Sequence, residues 1–232
     1  TDVVYTGHKA ISNFMQQLPN QTKKIELQKN ETYLLFNLLM KPKHTTSGII
    51  KLINNKQRNI TIKMGAVDKK YPQLSMFSDM QTPLNQYSTA KFEKPNKKVF
   101  CEFDCIDKVG GFEIGGPPYL ADMEEKYNLK GNYGVMYNVT LSLLNSMESN
   151  QIISFYVFPK KDNAVDRAAF LINGEFKSVD VLTNRNTKAS IQKFYELELM
   201  PNEEKQISML TMPQAGCYYP IDIIISSQEA IL

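Results

Sequence analysis

Two stretches of the chain share one pattern, in which an alternating apolar run ends at an asparagine and a second apolar run follows a short polar turn. They span 48–64 and 137–158, with Asn54 and Asn145 as the turn residues. Because side chains alternate between faces along a strand, each stretch predicts a strand, a turn and a second strand presenting one apolar wall. The walls are Ile50, Leu52, Ile60, Ile62 and Met64, and Val139, Leu141, Leu143, Ile153, Phe155 and Val157.

Other periodic runs predict the rest of the fold. Apolar residues at helical spacing predict a short helix over 8–17. Shorter alternating runs predict two strands around a polar turn at 29–31, and six more strands in the second part of the chain. Residues 65–90 have no clear period and predict a long connection. The predicted strands are 24–28, 32–40, 98–106, 168–174, 178–183, 192–200, 205–212 and 221–226.

Many short strands with turns between them predict an all-β protein of the sandwich class. The two asparagine turns lie about ninety positions apart, close to the roughly 100 residues of one β-sandwich domain. Residues 110–120 hold four glycines and two prolines, which predicts a turn-rich bridge and a domain boundary. We therefore expect two jelly-roll or Ig-like sandwich units, 1–116 with the leading helix and 117–232, with one continuous sandwich as the alternative.

Composition narrows the function without assigning one. The 232 residues are 42% hydrophobic, which suffices for a packed core. The net charge of +3 comes without a basic stripe, so we expect no nucleic-acid partner. No apolar run approaches the roughly 20 residues that span a bilayer, so we expect no membrane insertion. The chain begins at Thr1 rather than Met, which fits a processed secreted protein or a trimmed chain.

Three cysteines do not make a disulfide framework. Cys101 and Cys105 lie four apart in a predicted strand, so their Cα atoms would be about 13 Å apart, beyond the roughly 7 Å that a disulfide spans. Either could pair with Cys217, but buried free thiols are favoured. The only histidines, His8 and His44, are not close to a cysteine in sequence. We therefore expect no metal site and no cofactor.

Two kinds of residue are candidates for function. Exposed tyrosines can stack on sugar rings, and Tyr218 and Tyr219, in a predicted turn, are the best placed for ligand binding, with Tyr133 as a further candidate. Glu102 and Asp104 share one strand face and could form a carboxylate pair for glycoside hydrolysis. A solvated strand edge explains these two acids more simply. The scarcity of histidine as a base argues against an acyl-transfer triad.

The runs GNYGVMYNVTLSLLN at 131–145, AAFLING at 168–174 and MPQAG at 212–216 before YPIDIII carry a resemblance. In that order they resemble the β-sandwich region of secreted Firmicute proteins named copper amine oxidase N-terminal-domain proteins. The module that carries the copper name is absent here, so the resemblance implies neither copper nor amine oxidation. The chain has FPKKDN at 158–163 and YSTAKF at 87–92 where the family has other motifs. The resemblance implies a secreted or cell-wall-associated protein.

The sequence thus predicts a non-enzymatic, extracellular β-sandwich protein that binds a cell-wall glycan or a surface protein as a binding or adhesion module. The alternatives are a polysaccharide or peptidoglycan hydrolase that uses strand carboxylates, and a structural spacer. A cleft that holds two carboxylates about 5 to 10 Å apart would favour the hydrolase.

Overall fold

The structure is a computed structural model and describes residues 7–17, 25–31, 33–34, 95–122, 127–160, 167–180, 191–214, 217 and 219–228. The chain divides into two compact units, Thr1–Ile49 with Phe92–Leu232 and Ile50–Lys91. The second unit lies outside the described residues. The first predicted strand-turn-strand stretch, the predicted connection at 65–90 and most of the predicted strand at 32–40 lie outside them as well.

The described part is built from strands, with one helix at its start. Single turns of 3-10 helix follow β1, at Cys105–Asp107, and precede β5, at Lys130–Asn132. The prediction of an all-β protein with a short N-terminal helix is confirmed. The elements are α1 (Gly7–Gln17), β1 (Asn96–Asp104), β2 (Val109–Ile114), β3 (Leu120–Ala121), β4 (Asn128–Leu129), β5 (Met136–Leu144), β6 (Gln151–Pro159), β7 (Arg167–Ile172), β8 (Glu175–Asp180), β9 (Gln192–Leu199), β10 (Glu204–Thr211) and β11 (Ile221–Ser226).

One predicted strand is wrong where the structure describes it. Residues 25–28 have no regular structure, and three of these four residues are exposed. The turn after them is present, because the Glu31 amide donates to the Gln28 carbonyl at 3.1 Å and Asn30 has a positive φ of 65°. The apolar residues of this segment are too few to bury a strand face, and alternation alone does not supply a pairing partner.

The strands form two main sheets. The first has five strands in the order β1-β5-β10-β7-β8, and the second has four in the order β2-β11-β6-β9. All neighbours are antiparallel except β1 and β5, which are parallel with Val99 opposite Val139. The inward side chains of both sheets belong to one buried cluster, which includes Leu141 from the first sheet and Phe155 from the second. The fold is therefore a β-sandwich.

The predicted stretch at 137–158 needs a correction. Its strands exist as β5 and β6, and all six of its predicted wall residues are buried. The strands do not pair, however, because β5 lies between β1 and β10 while β6 lies between β11 and β9. The turn at Asn145 therefore crosses from one sheet to the other, and the two halves of the predicted wall face each other. Alternation shows which side chains are buried, but pairing depends on partners that are distant in sequence.

The glycine-rich bridge predicted at 110–120 also needs a correction. Its first part is strand β2, in which Gly111 lies opposite Ile224. A Cβ atom on Gly111 would lie 2.2 Å from the carbonyl oxygen of Ile223, so the glycine permits a close approach of two strands. A run of glycines is equally compatible with a turn, which is why the sequence misled here.

Pairing also bears on the boundary predicted between 116 and 117. Strands β1 and β2 lie before it and pair with β5 and β11, which lie after it. These pairings join both sides of the predicted boundary into one sandwich, and a second jelly-roll or Ig-like unit is not confirmed. Within the described residues, the loop that follows β2 connects strands of a single core.

Helix α1 covers part of the outer face of the five-stranded sheet. Its buried residues Ile11 and Met15 pack with Ala169 and Leu171 of β7 and with Met212. The helix thus buries the outward side chains of β7, which would otherwise be exposed. These residues form a second apolar cluster, separate from the sandwich core. The cluster does not extend over the outer face of β1 or over most of the outer faces of β5 and β10.

Candidate functional site

The predicted ligand-binding tyrosines divide between described and undescribed residues. Tyr218 lies outside the described residues. Tyr133 and Tyr219 lie edge to face, with ring centroids 6.0 Å apart and an interplanar angle of 85°. The Tyr133 hydroxyl donates to the carbonyl oxygen of Cys217 at 2.9 Å. The structure therefore brings two of the three predicted residues together, in a corner where the chain enters β5 and β11.

The position of Tyr219 differs from the exposed one expected for it. Its ring packs against the sandwich core, and its hydroxyl is buried near Gln214 without a hydrogen bond of normal geometry. Burial raises the pKa of Tyr219 strongly, with smaller contributions from Cys217 and Tyr133. A ring in this environment offers little free surface for stacking on a sugar. A ligand-binding role for Tyr133 and Tyr219 stays a prediction.

The corner is held by a buried polar network. The Asn132 side-chain amide donates to the Gly116 carbonyl at 2.9 Å and to the Tyr137 hydroxyl at 2.9 Å, and its oxygen accepts from the Leu120 amide at 2.8 Å. The Tyr137 hydroxyl also accepts from the Gly115 amide at 3.1 Å. Three of these four bonds join the segment from Asn132 to Tyr137 to the segment from Gly115 to Leu120, so we interpret the GNYGV run as a structural corner.

The carboxylates predicted for the hydrolase alternative lie on an open strand face. Glu102 is exposed on the outer face of β1. Asp104 ends the strand, and its carboxylate accepts hydrogen bonds from the Ser146 hydroxyl and from the amides of Ser146 and Ile106. The hydrogen bond from the Ser146 hydroxyl is the main cause that lowers the pKa of Asp104. A general acid requires the opposite shift, so this pair lacks the features of a glycosidase dyad.

None of the three cysteines forms a disulfide bond in the described part of the chain. Cys105 is buried, as expected for all three, whereas Cys101 and Cys217 are half-buried against the core. Burial raises the pKa of Cys101 and of Cys105. Among the described residues no group of three or more histidine, cysteine or acidic side chains is arranged to hold a metal ion.

The most unusual surface residue is one that the sequence analysis did not select. Phe100 lies in the middle of β1 and is 75% exposed, more than any other large hydrophobic residue in the described ranges. The sequence contained a signal for this exposure. Alternation along the strand places Phe100 on the same face as Lys98 and Glu102, whereas Val99 and Cys101 are on the other face. An aromatic ring on the charged side of an amphipathic strand points into solvent.

Neighbouring strands place polar side chains around this ring. In the register of β1 with β5, Phe100 lies opposite Thr140, and in the register of β5 with β10, Thr140 lies opposite Ser208. The row towards the end of β1 is also polar and runs from Glu102 through Ser142 to Gln206, whereas the row towards its start runs from Lys98 through Asn138 to Leu210, which packs with the cluster under α1. We call this surface the Phe100 face, and it consists of the outward residues Asn96, Lys98, Phe100, Glu102, Asn138, Thr140, Ser142, Gln206 and Ser208.

The Phe100 face includes a shallow open depression of about 670 Å³. Five residues line it, namely Asn96, Lys98, Phe100, Asn138 and Thr140. They provide one aromatic ring, two amides, one hydroxyl and one ammonium group. Amides and hydroxyls both donate and accept hydrogen bonds, so this surface matches a ligand that has an apolar face and many hydroxyl groups.

The fold defines a β-sandwich protein with an open polar sheet face that carries one exposed aromatic ring. In the part of the chain that the structure describes, no helix has the length and apolar character required to cross a membrane. No protein-family model matches the chain, and no curated protein sequence matches it.

Comparison with solved structures gives distant similarities. The GH26-CBM35 β-(1,4)-mannanase of Podospora anserina matches with a TM-score of 0.30 at 12% identity, over 54% of this chain and 29% of the mannanase chain. A β-glucosidase from Paenibacillus barengoltzii gives 0.28 at 8% identity, over 60% and 12% of the two chains. The pre-peptidase C-terminal domain of a Bacillus anthracis collagenase gives 0.24 at 7%, over 58% and 97%. TM-scores this low do not assign the chain to the fold or function of any of the three.

Proposed function

We propose that this protein is a non-enzymatic β-sandwich module that binds a glycan on the Phe100 face. The observation that carries the proposal is the exposed Phe100 ring on the edge strand β1, with amide and hydroxyl side chains beside it on β1, β5 and β10. The faces of sugar rings carry C–H groups, which stack on an aromatic ring, while their hydroxyls pair with the neighbouring polar groups.

The shape of the site supports binding rather than catalysis. The depression is shallow and open, so it can contact an extended chain that lies along the sheet. Asp104, the nearest acid with a shifted pKa, is hydrogen-bonded in its ionised form. The glycan we propose belongs to a cell wall or cell surface, which would place the module outside the cell, and a surface protein is the alternative partner.

The test is binding of the purified chain to isolated cell walls and to a glycan array. Phe100→Ala is expected to weaken binding about fivefold or more, because stacking of a base on one aromatic ring contributes roughly 1–3 kcal/mol and a sugar face stacks on the same kind of surface. Tyr127→Ala is the matched control, because Tyr127 is an aromatic residue that is 51% exposed elsewhere on the surface. It should bind like the wild-type chain. Both variants should keep the wild-type unfolding midpoint, because neither ring belongs to the core.

Three results would overturn the proposal. The first is no retention on any wall or glycan, which would leave the spacer alternative ahead. The second is equal binding by the wild-type chain and Phe100→Ala. The third is release of reducing sugar ends by the wild-type chain and its loss in Glu102→Gln, which would favour the hydrolase.

A further inference from the structure

The depression beside Phe100 has a single charged lining residue. Lys98 lies two positions before Phe100 on the outer face of β1, and its partner on β5 is Asn138. Asn96 lies on the same face two positions before Lys98, on the side away from Phe100. One end of the depression therefore holds an ammonium group between two side-chain amides, all of which donate hydrogen bonds.

Lys98 also differs from several other basic residues in or next to strands. Lys160 pairs with Glu113 and Asp222, Arg167 with Asp180, and Lys193 with Glu196. Within the described ranges Lys98 forms no ion pair, so no carboxylate of these residues neutralises its charge. An unpaired ammonium group beside an aromatic ring attracts an anionic group of a ligand.

The opposite end of the Phe100 face has the opposite charge. Glu102 lies two positions after Phe100, and the side chain of Ser142, its partner on β5, donates to Glu204 of β10 at 3.2 Å. Lys98 and Glu102 are four positions apart along β1, which corresponds to a distance of about 13 Å. A ligand with a negative charge on every ring would place one charge next to Lys98 and another next to Glu102. Repulsion at the second position would disfavour it.

We infer that the ligand of the Phe100 face is an acidic glycan with separated charges, in which a carboxylate-bearing sugar contacts Lys98 and an uncharged neighbouring sugar stacks on Phe100. This inference rests on the proposed function and adds to it the chemical class of the ligand. Asn96 and Asn138 donate hydrogen bonds at the Lys98 end, and Glu102 excludes a second anion at the other end.

The probes are acidic polysaccharides in which at least two neutral sugars separate one carboxylate-bearing sugar from the next, each compared with its own carboxyl-reduced form, together with heparin, which has charges on all its rings. The acidic form should bind roughly three- to tenfold more tightly than its reduced form, as expected for one charge-assisted hydrogen bond. This preference should decline as salt is added, because ions screen an exposed pair. Heparin should bind less tightly than the polymers with separated charges.

Variants of Lys98 separate a specific contact from net charge. Lys98→Gln should bind the acidic and the reduced forms equally, whereas Lys98→Arg should keep the preference. Lys130→Gln removes the same charge from an exposed residue that lies outside the Phe100 face, and it should behave like the wild-type chain. Loss of the preference in Lys130→Gln would show a general charge effect and would overturn the inference.

The remaining outcomes distinguish the two proposals. Equal binding of neutral and acidic forms, with loss of both in Phe100→Ala, would overturn the anionic ligand and leave glycan binding in place. Tightest binding of heparin would overturn the role given to Glu102. Binding to none of the polymers or walls would overturn both proposals.

Discussion

The side-chain amide of Asn145 donates a hydrogen bond to the backbone carbonyl of Met200 at 2.9 Å. Asn145 lies in the turn that crosses from the five-stranded to the four-stranded sheet, and Met200 begins the turn that crosses back. The same amide donates to Leu199 at 3.1 Å and to Ser149 at 3.0 Å, while the Asn145 side-chain oxygen accepts from Met147. One buried side chain thus joins both crossings at this end of the sandwich.

Asn145→Ala should lower the free energy of unfolding by about 2–4 kcal/mol. The substitution leaves three backbone carbonyls without the donor they have in the native state, and each unsatisfied buried group costs roughly 1–3 kcal/mol before relaxation. Urea unfolding measures the change. Asn150→Ala, in the same turn, removes an exposed bond to Glu198 and should change stability by less than about 0.5 kcal/mol. Equal effects of the two variants would contradict the role assigned to Asn145.

Two tyrosine-to-phenylalanine substitutions should have different effects. Tyr219→Phe removes a buried hydroxyl that lies near Gln214 without a hydrogen bond of normal geometry, so stability should stay the same or rise by up to about 1 kcal/mol. Tyr137→Phe leaves the Gly115 amide and the Asn132 side chain without their acceptor and should cost about 1–3 kcal/mol. Thermal unfolding of both variants makes the comparison. A larger loss in Tyr219→Phe would show that its hydroxyl is bonded.

Substitution of Gly111 tests whether the close approach of β2 and β11 requires a glycine. Gly111→Ala would place a Cβ atom 2.2 Å from the backbone oxygen of Ile223, and this oxygen cannot move without disturbing the sheet. We expect a loss of about 3 kcal/mol or more, or failure to fold. Gly134→Ala is the control, because it has a positive φ but open space around it, and it should cost only about 1 kcal/mol. Similar losses would show that φ, rather than the contact, limits Gly111.

Asp104 should make stability depend on pH in the acid range. Its pKa in the folded protein lies below the ordinary value of about 3.9, mainly because the Ser146 hydroxyl donates to the carboxylate. The stabilisation is therefore present above about pH 4 and is lost as the pH falls through the lowered pKa. Ser146→Ala should raise the pKa of Asp104 and weaken this acid dependence.

Titration of the Asp104 carboxyl carbon by NMR measures the pKa directly, and urea midpoints between about pH 2 and 6 follow its effect on stability. Ser149→Ala is the control, because its hydroxyl accepts from the side chain of Gln151 at 2.9 Å instead of binding a carboxylate. An unchanged titration in Ser146→Ala would rule out the hydroxyl as the cause of the shift.

Much of the burial pattern could be predicted from the chain. Alternation correctly placed Leu141 and Phe155 in the core, and helical spacing over 8–17 correctly predicted α1, in which Ile11 and Met15 are buried. These predictions succeed because burial depends on the periods of strand and helix, which are local properties. The predicted tyrosine site was less accurate, because exposure of Tyr219 depends on the distant residues that surround it.

The sequence by itself determined that this protein is built from strands, which of their faces are apolar, and that Phe100 lies on a charged face. Only the tertiary structure decided that β5 and β6 belong to opposite sheets, that the glycines after Val109 form a strand, and that Phe100, Thr140 and Ser208 lie side by side. The physical reason is that side-chain alternation is set within one strand, whereas pairing depends on contacts between residues far apart in the chain.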